Sequence, residues 1–168
     1  MKKNFLILFL VFAVYANVNG SVNLILPEVN GQTGSQITIP VKVKNFQDIV
    51  SCQGTIQFDP AIVTYSSVQQ FGLTGMNSSS FGVTGVSTGV LTFSWFDGTL
   101  AGVTLADSTT IFSITFNIIG TNTQVSQLTF TNTPTLIEIV DNAFNTLTTV
   151  LDNGSITVQN GTVINDII

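Results

Sequence analysis

The chain has 168 residues, with nine acidic side chains, four Lys, no Arg and no His. Charged residues make up 8% and hydrophobic ones 44%, where an ordinary globular domain carries about 25% charged residues. One domain with a real core is expected at this length. With so few cations there is no basic surface for phosphates, which argues against nucleic-acid binding. With no His and a single Cys, His- or Cys-built zinc sites and His-dependent triads are excluded.

Lys2 and Lys3 open the chain, followed by an unbroken apolar run from Phe5 to Val14 and small residues at Ala16 and Gly20. This reads as a secretory signal peptide over residues 1–20, cleaved after Ala16 or Gly20. The run is shorter than the roughly 20 residues that span a bilayer, and no later stretch looks membrane-spanning. The exported chain, secreted or held at the cell surface, keeps Lys42 and Lys44 against nine carboxylates. Its lone Cys52 has no partner for an internal disulfide. It lies in an alternating pattern, so it is expected to be buried and inert.

From residue 21 to about 160 the chain reads as strands. Val22 to Leu26 is a short first strand, stopped by Pro27. Ile37, Ile39, Val41 and Val43 alternate with polar residues and with Pro40, which places that strand at an edge or a bulge. Val50, Cys52, Gly54, Ile56 and Phe58 alternate with Ser51, Gln53, Thr55 and Gln57, and Asp59-Pro60 closes the corner. Ile62 to Val68 continues more weakly. Leu91, Phe93 and Trp95 share one parity; Ser94 and Phe96 take the other. Phe112, Ile114, Phe116 and Ile118 alternate next. Leu128 with Phe130, Leu136 to Val140, and Ile156 with Val158 complete about nine strands, the pattern of a sandwich or jelly roll. The 24 Thr suit a pleated, half-buried surface. Turns are read at Asn30-Gly31, Asp97-Gly98, Ile119-Gly120 and Asn153-Gly154, the last as a hairpin. No helical period, internal repeat or linker is present, and residues 161–168 form a tail.

The chemistry expected of these residues is sparse. The carboxylates are scattered at turns, where Asp caps backbone N–H groups. Only Glu138 and Asp141 are close in sequence, so a glycosidase-like acid pair is not indicated. No EF-hand-type calcium loop and no nucleotide motif is present. No base is available to activate a Ser. Trp95 shares the core parity. Were it outward, it would serve as a stacking platform in a carbohydrate-binding module. Phe96 is outward on a nearly uncharged sheet and is a contact hot-spot candidate. The long connections Gln69 to Gly89 and Asp97 to Asp107 either carry recognition or cover the core.

Four segments, in this order, resemble the cohesin domain. Ile49 to Pro60 (IVSCQGTIQFDP) is similar to the family's third strand with its aromatic-Asp-Pro corner, and Gly89 to Asp97 (GVLTFSWFD) to its apolar sixth strand with an acidic end. Ile111 to Phe116 resembles the strand that follows, and Asp152 to Val158 (DNGSITV) the closing strand. The resemblance runs from about Val22 to Val158. It implies an all-β, nine-stranded β-sandwich with jelly-roll topology, related in shape to cellulose-binding modules. It also implies a non-catalytic module that binds dockerins, calcium-loaded helical modules on polysaccharide-degrading enzymes, through a flat sheet. The calcium belongs to the dockerin, and no cofactor is implied for this chain. The family's contact positions fall on Ser51 and Gln53 in the third strand, near Gly85, on Ser94 in the sixth, and on Asp97 at its end. Phe96, one residue along, supplies apolar area. Direct polysaccharide binding and a structural or adhesive surface role are the alternatives.

Overall fold

A computed structural model describes residues 20–160; the signal-peptide reading of 1–20, but for Gly20, and the tail from 161 lie outside the described residues. Along the chain run β1 (Val22–Ile25), β2 (Glu28–Gln32), β3 (Gln36–Lys44), β4 (Ile49–Gln57), β5 (Val63–Gln69), β6 (Phe81–Gly82), β7 (Val90–Phe96), β8 (Thr109–Ile118), β9 (Val125–Thr131), β10 (Glu138–Asp141), β11 (Thr149–Asp152) and β12 (Gly154–Gln159). They form two sheets. One runs β11-β1-β3-β8-β5; the other runs β2-β12-β9-β4-β7-β6, with β10 also on β4. The chain passes back and forth between the two, and their apolar faces pack as a β-sandwich.

The nine strands read from the sequence are all present, and among the described residues β2, β6 and β11 are added to them. Each lies at a sheet edge. An edge strand has one partner and little buried surface, so its alternation is weak. Asn30-Gly31 is therefore not a turn: it lies within β2, paired in parallel with Thr157 and Val158 of β12. Nor is Asn153-Gly154 a hairpin. It is the crossing from β11 in one sheet to β12 in the other. It runs beside the matching crossing at Leu26-Pro27, with Leu26 N–H donating to Asp152 O at 2.8 Å and Ser155 N–H to Pro27 O at 3.2 Å. Asn153 Oδ1 accepts the Phe130 N–H at 2.9 Å. Pro40 lies in a strand with partners on both sides, but β1 covers only Lys42 to Lys44, and the register with β8 shifts between Val41 and Lys42. The missing N–H thus falls where one side of β3 is open.

The core is aromatic where the sheets meet. Phe112 of β8 contacts Phe81 and Phe93 of the facing sheet, with ring centroids 4.9 and 5.2 Å apart. Phe116 meets Phe58 edge-on at 4.9 Å. Segment 70–89 closes one side of this core with Leu73, Met76 and Phe81, all buried. Its Thr74 carbonyl accepts the Trp95 indole N–H at 2.8 Å. That long connection is a cover, and it holds Trp95 inside.

Two outcomes follow from this packing. Phe112→Ala removes the ring shared by both sheets and is expected to cost about 3–5 kcal/mol, read by urea unfolding. Burial pushes the Cys52 thiol up to about 12, so the native protein should resist thiol-alkylating reagents and react only once denatured.

Candidate functional site

The sandwich has two outer faces, and their polar groups behave differently. On the β3–β8–β5 face the side chains satisfy one another. Gln36 Nε2 donates to Asn117 Oδ1 at 2.8 Å, and the Thr38 and Thr115 hydroxyls lie 3.0 Å apart. Gln69 Nε2 donates to both hydroxyls, and the Ser113 hydroxyl donates to Gln70 Oε1. Lys42 and Lys44, the only cations among the described residues, are also on this sheet. The β4–β7 face is open except at Thr55, which is buried and exchanges hydrogen bonds with the Thr135 backbone. Ser51, Gln57, Thr92, Ser94, Gln127 and Thr129 make no side-chain hydrogen bond to another described residue, and Gln53 reaches only Glu138 Oε2, at 3.5 Å. Unspent donors and acceptors on a flat sheet are what a macromolecular partner can use.

Register decides which side chains share that face. Across β4 and β7, Cys52 opposes Trp95 and Gly54 opposes Phe93, both inward; Ser51 opposes Phe96 and Gln53 opposes Ser94, both outward. On the other side of β4, Val140 opposes Ser51 and Glu138 opposes Gln53. Two cross-strand rows result: Val140–Ser51–Phe96 and Glu138–Gln53–Ser94. The Phe96 side chain is 69% exposed. Gly85 is not brought to this group. Its carbonyl accepts the Val90 N–H at 3.0 Å, at the far end of β7, roughly 20 Å along the strand from Phe96.

Asp97 sits at the end of the Phe96 row but turns back on its own loop. Its Oδ1 accepts the Thr99 N–H at 2.9 Å and the Thr99 hydroxyl, and its Oδ2 accepts the Gly102 N–H at 3.1 Å. Asp141, at the end of β10, does the same. Its Oδ1 accepts N–H groups of Ala143 and Asn145, and its Oδ2 accepts Asn145 Nδ2. These are Asx-type turns. Each lifts an apolar residue into solvent: Leu100, 51% exposed with φ +55°, and Phe144, 68% exposed with φ +62°. A left-handed conformation costs a non-glycine residue roughly 1–2 kcal/mol, and such positions cluster at functional sites. Leu100 and Phe144 escape period-two reading because they lie in loops; the Asp-x-x-apolar spacing after each strand is the signal they leave.

The backbone N–H of Thr99, then its hydroxyl, hold the Asp97 carboxyl below its ordinary value of 3.8; the backbone N–H of Asn145, then its side-chain amide, do so for Asp141. Asp48 and Glu138 are the other acids at this end, and no group of three or more His, Cys, Asp or Glu that could hold a metal is present among the described residues. A shallow groove of about 300 Å³ lies at the opposite end of the face, lined by Gln57, Phe58, Asp59, Val125, Gln127 and Thr129. Its aromatic ring, Phe58, is buried. Trp95 is buried too, so neither offers a stacking platform for a sugar ring.

The cohesin-domain family model matches residues 22–158. The chain belongs to the cohesin family. Cohesin domains are non-catalytic modules. Solved cohesins share its fold. A type I cohesin from the Clostridium thermocellum protein OlpA, in complex with a dockerin, is 21% identical over 83% of this chain and 99% of its own, with a TM-score of 0.69. The seventh type I cohesin of ScaB from Pseudobacteroides cellulosolvens is 19% identical over 86% and 96%, with a TM-score of 0.72. A non-cellulosomal cohesin from the archaeon Archaeoglobus fulgidus is 22% identical over 83% and 91%, with a TM-score of 0.65. No curated protein sequence matches the chain.

Because the folded-state values of Asp97 and Asp141 are lowered, their contribution to loop order is fully present above 3.8 and is lost as pH falls through the lowered values. Amide signals of Leu100 and Phe144 should therefore hold steady from neutral pH down to the ordinary carboxylate range and move only below it. Asp141→Asn should remove that acid transition from Phe144 while leaving the one at Leu100.

Proposed function

We propose that this cohesin domain docks a calcium-loaded dockerin module against the β4–β7–β10 face. The observation that carries the reading is the contrast between the two outer faces. One is closed by its own hydrogen bonds; the other leaves Ser51, Gln53 and Ser94 available around a largely exposed Phe96. Phe96 supplies the apolar centre, and Leu100 and Phe144 extend it at one end. Such an aromatic, ringed by polar groups, is the usual composition of an interface hot spot. Both described Lys lie on the other sheet, while Glu138, Asp48, Asp97 and Asp141 gather at the Phe96 end. The partner surface that complements this end carries Lys or Arg together with an apolar patch.

The bound calcium is the dockerin's own. Export through the N-terminal segment would place the module outside the cell, where dockerin-bearing polysaccharide-degrading enzymes act, so the module's role is to hold such an enzyme at a scaffold or surface. Two positions suggested by resemblance are read differently here. Asp97 acts by shaping the loop that carries Leu100. Gly85 stands apart from the Phe96 rows and serves the start of β7.

Isothermal titration against the calcium-loaded dockerins encoded in the same genome tests this reading. Binding at micromolar affinity or tighter is expected for at least one of them, falling as salt rises. Phe96→Ala should cost about 2 kcal/mol of that binding, while Thr38→Ala on the closed face should leave it unchanged. Absence of heat with every dockerin, or equal losses from the two substitutions, would overturn the assignment.

A further inference from the structure

Three separated segments meet at the Phe96 end of the face. Asp48, at the corner before β4, is itself held at φ +54°. Its carbonyl accepts the Asn142 N–H at 2.7 Å. Gly102, at φ +87°, lies so close to Asp48 that an added Cβ would come within 2.8 Å of the Asp48 carbonyl group. Asn142 then reaches across: its side-chain Nδ2 donates to the Ala101 carbonyl at 3.2 Å, linking residues 41 apart in sequence. Asn142 lies two residues from Phe144, and Ala101 directly follows Leu100. The two Asx-type loops are thereby tied to each other and to the β4 corner.

We propose that Asn142 is a positioning residue, coupling loops 97–102 and 141–146 into one unit that presents Leu100 and Phe144 together. The inference rests on the docking role of this face for its consequence, but the coupling is a property of the free domain. Two exposed apolar side chains held in left-handed backbone contribute nothing to the core. Each would sit with less strain as glycine. Their retention in a fixed relative position fits a partner that offers one continuous apolar patch. Holding both tips in place before contact spares the complex the ordering of two loops.

The free domain tests the coupling. In Asn142→Ala, the heteronuclear NOE of the Leu100 amide should fall along with that of Phe144. In Asn145→Ala, which breaks only the Asp141 loop's own side-chain bond, Phe144 alone should loosen. An unchanged Leu100 signal in Asn142→Ala would overturn the proposal whether or not any dockerin binds.

A dockerin that binds the wild-type domain then tests the consequence. Asn142→Ala should weaken it by about threefold to tenfold. The double variant Leu100→Gly/Phe144→Gly should unfold at a higher temperature than wild type yet bind more weakly. Adding Asn142→Ala to it should cost no further affinity. If the Asn142→Ala loss persists in that background, Asn142 touches the partner itself and is not a positioning residue. If no dockerin binds the wild-type domain, the docking reading fails, and the NOE comparison still decides the coupling.

Discussion

The pairing of β4 with β7 is the constraint on which the rest of the molecule depends. Side chains alternate across a strand, so one residue of slip exchanges the faces. In the observed register Trp95 and Cys52 are opposed inside, and Phe96 and Ser51 outside. A shift of one would put the indole in water and a phenyl ring and a serine in the core. The register is held from both sides. Thr74 captures the Trp95 N–H from the covering segment, and Phe93, next inward on β7, packs on Phe112 across the sandwich. Fixing the core thus fixes the chemistry of the face, and Phe96 is exposed because Trp95 is satisfied.

The two outer faces illustrate how nearly uncharged sheets can differ. Both are rich in Thr, Ser, Gln and Asn. Where long amides reach neighbouring hydroxyls, as Gln69 reaches Thr38 and Thr115, the polar surface is spent internally. On β4 and β7 the short Ser51 and Ser94 cannot reach each other across the ladder, and their capacity stays free. Charge follows the same division in part: the Lys residues go to the closed face, and Asp48, Asp97, Glu138 and Asp141 lie near the Phe96 end of the open one. A complementary partner is then recognised by donors, acceptors and apolar area, with charge steering the approach.

Much of this was legible in the sequence, and what was not has physical causes. Strands with partners on both sides show their period in full, which is why β4, β7 and β8 could be read residue by residue and Trp95 and Phe96 assigned to opposite faces. The edge strands β2, β6 and β11 bury too little to leave a period. Asn30-Gly31 misled because a dipeptide that favours turns also tolerates an exposed edge strand, and Asn153-Gly154 because a crossing between sheets uses the same residues as a hairpin. Leu100 and Phe144 were out of reach of pattern: their exposure comes from side-chain-capped turns and from tertiary contacts with Asp48. Asp97 ends β7, and its carboxylate is taken up by the N–H groups of Thr99 and Gly102, a structural use that resemblance alone does not convey.

Amide chemical-shift mapping of the labelled domain, titrated with a calcium-loaded dockerin that binds it, tests the central claim most directly. The account predicts that perturbations concentrate on Ser51, Gln53, Ser94, Phe96, Glu138 and the loops carrying Leu100 and Phe144. Perturbations centred instead on Thr38, Gln69 and Thr115, with the Phe96 rows unmoved, would contradict it.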